Sequence, residues 1–173
     1  MRFKLGIFLC AAAWFCHNPS IALAANLRAI YLSQVGVREQ TGRNDGKEVE
    51  LFLAHVGLKK GNSWCAAFVS NCLSNAGIAN PKSGWAPAYF PKKRVVWQRG
   101  NRAAISEIQS GDVFGIYFQS KRRIAHVGFI DRLDGKRAVT VEGNTNEAGS
   151  REGDGVYVKR RLLNQIYTIS RWK

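Results

Sequence analysis

Between Asn62 and Gly77 the side chains of Cys65, Phe68, Val69, Cys72, Leu73 and Ala76 recur at the spacing of one face of an α-helix. An unbroken apolar stripe of this kind has to be covered by a second layer, so it predicts a core-facing helix. Asn62 or Ser63 can cap its start and Gly77 closes it. Two more helices are expected upstream. Leu27 to Val35 places Leu27, Ile30, Tyr31 and Val35 on one stripe. Asp45-Gly46-Lys47-Glu48 fits an N-cap with a reaching Glu, followed by an apolar face of Val49, Phe52, Leu53 and Val56 that stops at Gly57. Asn80 to Gly100 reads as irregular, with Pro81, Pro87 and Pro91 among the aromatics Trp85, Tyr89, Phe90 and Trp97. Beyond Gly111 strands dominate, at 112–118, 125–133, 138–144, 155–162 and 166–172. Helices followed by a run of antiparallel strands define an α+β fold, with N-terminal helices packed on a C-terminal antiparallel sheet.

Residues 1–24 stand apart. Arg2 and Lys4 precede an apolar run from Leu5 to Cys16, and Ala22-Leu23-Ala24 is a small-x-small cleavage pattern. This predicts a signal peptide removed after Ala24, a single mature domain over 25–173, and export to a periplasm or out of the cell. The apolar run is too short for a spanning helix, and His17-Asn18-Pro19 interrupts it. Of the net charge of +14, Arg2 and Lys4 leave with the leader, so +12 remains. A charge of that size implies a polyanionic partner, whether nucleic acid, lipid headgroups or anionic wall polymers. An export signal disfavours intracellular nucleic acid. The mature chain keeps only Cys65 and Cys72 of its four cysteines. Seven residues apart on one helix, they are separated by roughly 10.5 Å of rise, beyond the ~7 Å a disulfide spans. Each is therefore a buried small hydrophobe or a reactive thiol.

Position separates the two. A thiol acts as a nucleophile through its thiolate, which a helix N-terminus stabilises. Cys65 occupies the first turn of its helix, where free backbone N–H groups also suit an oxyanion; Cys72, two turns deeper, reads as structural. Such a thiolate needs a base. His55, in the last turn of the second helix, reads as a dipole-facing surface residue. His126 lies in the apolar strand segment Ala125-His126-Val127-Gly128-Phe129-Ile130 and calls for a polar partner. Across the turn at Asp134-Gly135, Glu142 and Asn144 share a strand face. A three-residue loop, Leu133-Asp134-Gly135, would set His126 opposite Glu142, whereas a two-residue Asp-Gly turn would put both on the other face. Catalysis by this set thus predicts an odd loop.

Taken together, Trp64-Cys65-Ala66-Ala67-Phe68-Val69, Gly111-Asp112-Val113, Ala125-His126-Val127-Gly128 and Val141-Glu142-Gly143-Asn144-Thr145-Asn146 resemble the CHAP family (cysteine, histidine-dependent amidohydrolases/peptidases). The resemblance runs from about Ala29 to Trp172. It implies a papain-like fold of the NlpC/P60 superfamily, with a cysteine at a helix start facing a histidine on an antiparallel sheet. It also implies cleavage of amide bonds in bacterial peptidoglycan. Cys65 then corresponds to the nucleophile, His126 to the base, Glu142 to the residue orienting the imidazole and Asn144 to a further polar member. The order of the last two is left open. Two departures stand out. The segment 41–46 offers only Asn44 and Asp45 as oxygen ligands, too few for the calcium loop of some CHAP hydrolases. In place of the Gln that often precedes the cysteine of papain-like enzymes, the nearest polar residues are Asn62 and Ser63.

Asn62, Ser63, Trp64 and Trp85 are expected to bind substrate, with Tyr89 more a packing residue. The glycine-rich stretch from Gly143 to Gly155 reads as a polar loop beside the site. Lys92-Lys93-Arg94, Lys121-Arg122-Arg123 and Lys159-Arg160-Arg161 are short basic runs, ordinarily solvated, that together suit anionic wall polymers. The expected function is an exported, monomeric peptidoglycan hydrolase that needs no cofactor or metal. It would cut either the sugar–peptide amide or a bond within the peptide. The rivals are a non-catalytic wall- or polyanion-binding module and a protein-directed cysteine peptidase or acyltransferase.

Overall fold

A computed structural model describes residues 19–101, 103–147 and 153–173. Most of the expected leader, residues 1–18, lies outside the described residues, as does Ala148 to Glu152 of the glycine-rich loop. The stripe beginning at Cys65 forms α3 (Cys65–Asn75), in which Cys65 to Ser70, Cys72 and Leu73 are all buried. The helix is buried on nearly every side because the small Ala66 and Ala67 admit close neighbours. It packs against α2 (Lys47–His55) on one side and the sheet on the other. Phe68 joins these layers, meeting Phe52 of α2 edge-on at 5.8 Å and Phe129 of the sheet at 5.9 Å. Tyr31 of α1 (Pro19–Ser33) stacks on the same Phe129 at 4.9 Å. Burying one such ring contributes about 1.5–3 kcal/mol, and Phe68 makes ring contacts to both neighbouring layers.

The sheet comprises β1 (Val95–Gln98), β2 (Val113–Phe118), β3 (Arg123–Asp134), β4 (Arg137–Thr145), β5 (Gly155–Leu162) and β6 (Thr168–Ser170). Among the described residues it has six strands in the order β1-β6-β2-β3-β4-β5, every neighbouring pair antiparallel. Strand alternation sends Val113, Val127, Phe129 and Val141 to the helix side. Phe114, Ile130 and Ile169 turn to the other face and close over Trp97, Ile108 and Ile166. The α+β architecture with helices first and an antiparallel sheet after them is as the sequence implied. No helix among the described residues is long and apolar enough to cross a membrane.

Several boundaries differ from expectation for identifiable reasons. β1 arises inside the stretch read as irregular, because four residues carry too little periodicity and their partner β6 lies some seventy residues away. Pairing also stops the last strand at Ser170 rather than Trp172. α1 begins at Pro19 and so runs through Ala24. The N-cap of α2 is Gly46, not Asp45. Asp45 instead accepts hydrogen bonds from the Thr41 amide at 2.9 Å and hydroxyl at 2.7 Å, and Glu50, not Glu48, reaches back to the Gly46 N–H. The N-cap of α3 is Trp64, without a side-chain cap from Asn62 or Ser63. Gly77 does close α3, with φ +73°. Its N–H reaches the Ser74 carbonyl, and that of Ile78 reaches Leu73.

Candidate active site

Cys65 is the first residue of α3, where the leading N–H groups have no intrahelical acceptor and the helix dipole is positive. The side chain is nearly enclosed, at 6% exposure. His126 on β3 and the backbone N–H groups of Val127 and Ala66 are the polar groups close enough to act on its thiol. Burial pushes the thiol up, but the imidazole and the two amides outweigh it, and the net shift is downward. His126 is pulled the other way. Burial disfavours its charge, yet bonding to Cys65 and Glu142 raises it to about 9. Opposed shifts in a contacting thiol and imidazole favour a thiolate–imidazolium pair. Cys72 has no such neighbours, and burial alone pushes its thiol far up.

Glu142 on β4 is fully buried and accepts a hydrogen bond from His126 Nε2 at 2.8 Å. That leaves Nδ1 as the ring nitrogen for the sulfur. The hairpin brings His126 and Glu142 together, but not through the odd loop that the sequence predicts. Asp134 pairs with Arg137, so the turn is the two-residue Gly135-Lys136, with Gly135 in the left-handed region at φ +57°. A two-residue turn was expected to separate His126 from Glu142. A β-bulge between Ile130 and Arg132 adds one residue to β3 and reverses the alternation, so that Phe129 pairs with Val141. Continuing that register sets Glu142 against Gly128, diagonally adjacent to His126. Gly128 makes the approach possible, since a Cβ there would lie 3.0 Å from Glu142 Cγ and 2.8 Å from the Val141 carbonyl oxygen.

The carboxylate of Glu142 is otherwise saturated. Thr140, two residues back on the same face, donates its hydroxyl to Oε1 at 2.5 Å. Arg161 on β5 grips both oxygens, Nε to Oε1 at 2.6 Å and Nη2 to Oε2 at 2.5 Å. Burial would raise this carboxyl, but His126 and Arg161 together hold it down at about 2. Arg161 and Thr140 were not singled out from the sequence. In the run Lys159-Arg160-Arg161, strand alternation turns Lys159 and Arg161 to the site's face and Arg160 away from it, so the period of two was the signal available.

Asn144 makes no hydrogen bond to the imidazole. Its Oδ1 accepts the Trp64 N–H at 3.2 Å, satisfying one of the orphan donors at the start of α3. Its amide nitrogen donates to Asn44 Oδ1 at 2.9 Å. Asn144 sits at φ +55°, a left-handed conformation that asparagine tolerates better than most residues. Trp64, expected to line a cleft, is fully buried against Phe52, and its indole N–H is held by Glu39 at 2.8 Å. It belongs to the core because Gly143 lets β4 close on it, a Cβ there falling 2.7 Å from the indole. Glu39, not foreseen from the sequence, thus joins Trp64 to Asn44, whose amide N–H it also accepts.

Asn62 and Ser63 remain exposed just before the helix start, and the Asn62 side chain bonds the Lys59 carbonyl. Trp85 is 52% exposed, with the Arg123 guanidinium 4.1 Å above its ring. Tyr89 is a packing residue, its hydroxyl donating to the carbonyls of Ala66 and Ser83. His55 bonds Ser74 on α3, away from the site. In the 41–46 turn, Asp45 is committed to Thr41 and Asn44 to Asn144, a donor set that does not fit a calcium ion.

A thiol shifted down beside an imidazole shifted up, at the N-terminus of a helix, is an arrangement suited to attack on a carbonyl carbon. The family model for the CHAP domain matches residues 57–144, half of the chain and all of the cluster except Glu39, Asn44 and Arg161, and this chain belongs to the CHAP family. It is accordingly a hydrolase-type domain related to peptidoglycan. Among solved structures, the P60 domain of an antigen from M. avium paratuberculosis has a TM-score of 0.49 at 15% identity, over 87% of this chain and 93% of that one. A variant of the resuscitation promoting factor interacting protein RipA scores 0.47 at 14% identity, over 88% and 62%. An NLP/P60-family lipoprotein-like protein from Staphylococcus aureus scores 0.47 at 16% identity, over 87% and 41%. No curated protein matches the sequence significantly.

Proposed function

We propose that this protein is an exported cysteine amidohydrolase that cuts an amide bond in bacterial peptidoglycan. The observation that carries the reading is Cys65 at the first position of α3 beside the His126 ring, whose Nε2 is held 2.8 Å from the buried Glu142 carboxylate. The Cys65 thiolate attacks the amide carbonyl carbon, and the resulting oxyanion is received by N–H groups at the helix start. The His126 imidazolium then gives its proton to the departing amine, leaving a thioester on Cys65. Neutral His126 next takes a proton from water, the hydroxide displaces the sulfur, and a carboxylate product leaves. Glu142 holds the imidazole with Nδ1 toward the sulfur throughout. Asn144 acts one step removed, by fixing the backbone at Trp64. Trp85, Asn62 and Ser63 are the exposed candidates for holding the peptide stem.

The leader over 1–24 and the +12 charge of the chain after it support action outside the cytoplasm on an anionic wall. The domain over 25–173 acts as a monomer. Purified sacculi incubated with the protein should release soluble fragments, and mass analysis of those fragments assigns the bond cut. Cys65→Ala should abolish release while still co-sedimenting with sacculi. Full release by that variant would overturn the mechanism, and no release by the unaltered protein would leave a binding module.

A further inference from the structure

We propose that Arg161 is a positioning residue for the catalytic imidazole, acting through Glu142 by fixing the direction and the charge of its carboxylate. The inference rests on the catalytic reading above and extends it to a residue that does not touch substrate. A fully buried carboxylate beside one imidazole has two ways to fail. It can take a proton and lose its hold on the ring, or it can rotate, since a single hydrogen bond does not fix its plane. Arg161 prevents both. Its fork binds each carboxylate oxygen, while Thr140 supplies a further bond to Oε1. Only Oε2 is left facing His126 Nε2.

The charges around Glu142 come from each element packed on it. β3 supplies His126 and, beyond it, α3 supplies Cys65. β5 supplies Arg161, while its other inward residues look elsewhere: Tyr157 donates to Asp154, and Lys159 to the carbonyls of Asn146 and Glu147. Arg161 is therefore the one fixed cation on the carboxylate among the described residues. The Glu142–Arg161 pair is neutral overall, and it presents His126 with an acceptor resembling an amide more than a free carboxylate. The thiolate and imidazolium are then left to balance each other.

Removing the guanidinium has a definite sign. An uncompensated anion beside the pair makes the thiolate harder to form and the imidazolium harder to deprotonate, so both limbs of the pH profile move to higher pH. The rate of Cys65 alkylation by iodoacetamide, followed against pH by peptide mass, reads the lower limb without any substrate. Release from sacculi reads both limbs. For Arg161→Met both limbs should rise by about half a unit or more, and kcat should fall about tenfold or more with KM little changed. Arg161→Lys keeps the charge but not the fork, so its limbs should stay near those of the parent while kcat falls. Glu142→Gln with Arg161→Met should be more active than Glu142→Gln alone, because a neutral amide needs no counter-ion and the single variant strands a partly buried guanidinium.

Unmoved limbs in Arg161→Met would overturn the proposal, and so would equal limb shifts in the Met and Lys variants. Should Arg161→Met not fold, the Lys variant and the double variant decide by the same criteria. Retained activity in Cys65→Ala would sink the catalytic reading itself, whereas a dead Cys65→Ala with unmoved limbs in the Arg161 variants removes only this inference.

Discussion

Replacing Gly128 with alanine adds one methyl group at the point where β3 meets the site. The new Cβ would lie 2.8 Å from the Val141 carbonyl oxygen, 2.9 Å from the Phe114 ring and 3.0 Å from Glu142 Cγ, where ordinary contacts begin at 3.4 Å. Two of these neighbours are held in place. Val141 is part of the β3–β4 ladder and Phe114 is fully buried, so Glu142 must yield by roughly 0.4 Å or more. Overpacking of this kind costs about 1–3 kcal/mol. The reduced freedom of the unfolded chain returns about 0.4–1 kcal/mol, which leaves a net loss near 1–2 kcal/mol. The effect on catalysis should be larger in proportion, since a displacement of ~1 Å in a positioning group can cost about 100-fold. Sacculus digestion normalised to folded protein should therefore drop about tenfold or more. Gly135→Ala, in the turn of the same hairpin, is the control. A Cβ there meets nothing within 4 Å but sits at φ +57°, so it should lose about 1–2 kcal/mol with no loss of activity per folded molecule. Equal activities for Gly128→Ala and the parent, at matched folded concentration, would refute the reasoning.

Three further outcomes are expected. Asn144→Gly loses the bond to the Trp64 N–H but keeps the left-handed backbone, so urea unfolding should show a loss of about 1 kcal/mol; Asn144→Ala should lose about 1–2 kcal/mol more, and equal losses would mean the backbone there is not strained. At neutral pH iodoacetamide should label Cys65 and spare Cys72, a pattern that peptide mass mapping reads directly and that reversed labelling would contradict. The Glu142 carboxyl titrates at about 2 in the folded protein against an ordinary 4.5. Its stabilisation is therefore complete above about 4.5 and lost as pH falls toward about 2. Urea midpoints measured across that window should decline, and less steeply in Glu142→Gln; identical slopes would show that this carboxyl is not the group responsible.

The period of the apolar residues alone determined that a helix begins near Cys65, that strands follow Gly111, and that helices and sheet form an α+β layer pair. Those features are local: one stripe repeating every 3.6 residues and another every two can be read without a partner. Position along an element also singled out Cys65 from Cys72 and His126 from His55, and the fold sets Cys65 and His126 side by side. What pairing across the sheet decides was not. A four-residue strand such as β1 exists because β6 lies beside it, and the face that Glu142 presents depends on a bulge near Asp131 that no turn rule anticipates. Trp64 reads as a cleft aromatic in sequence, yet it is core because Gly143, far along the chain, lets a strand close over it. Likewise Arg161 is one of three consecutive basic residues until β5 docks beside β4 and turns it onto a buried carboxylate. Hydrogen bonding between distant strands sets register, and register assigns each side chain to one face or the other. Only the folded chain contains that information.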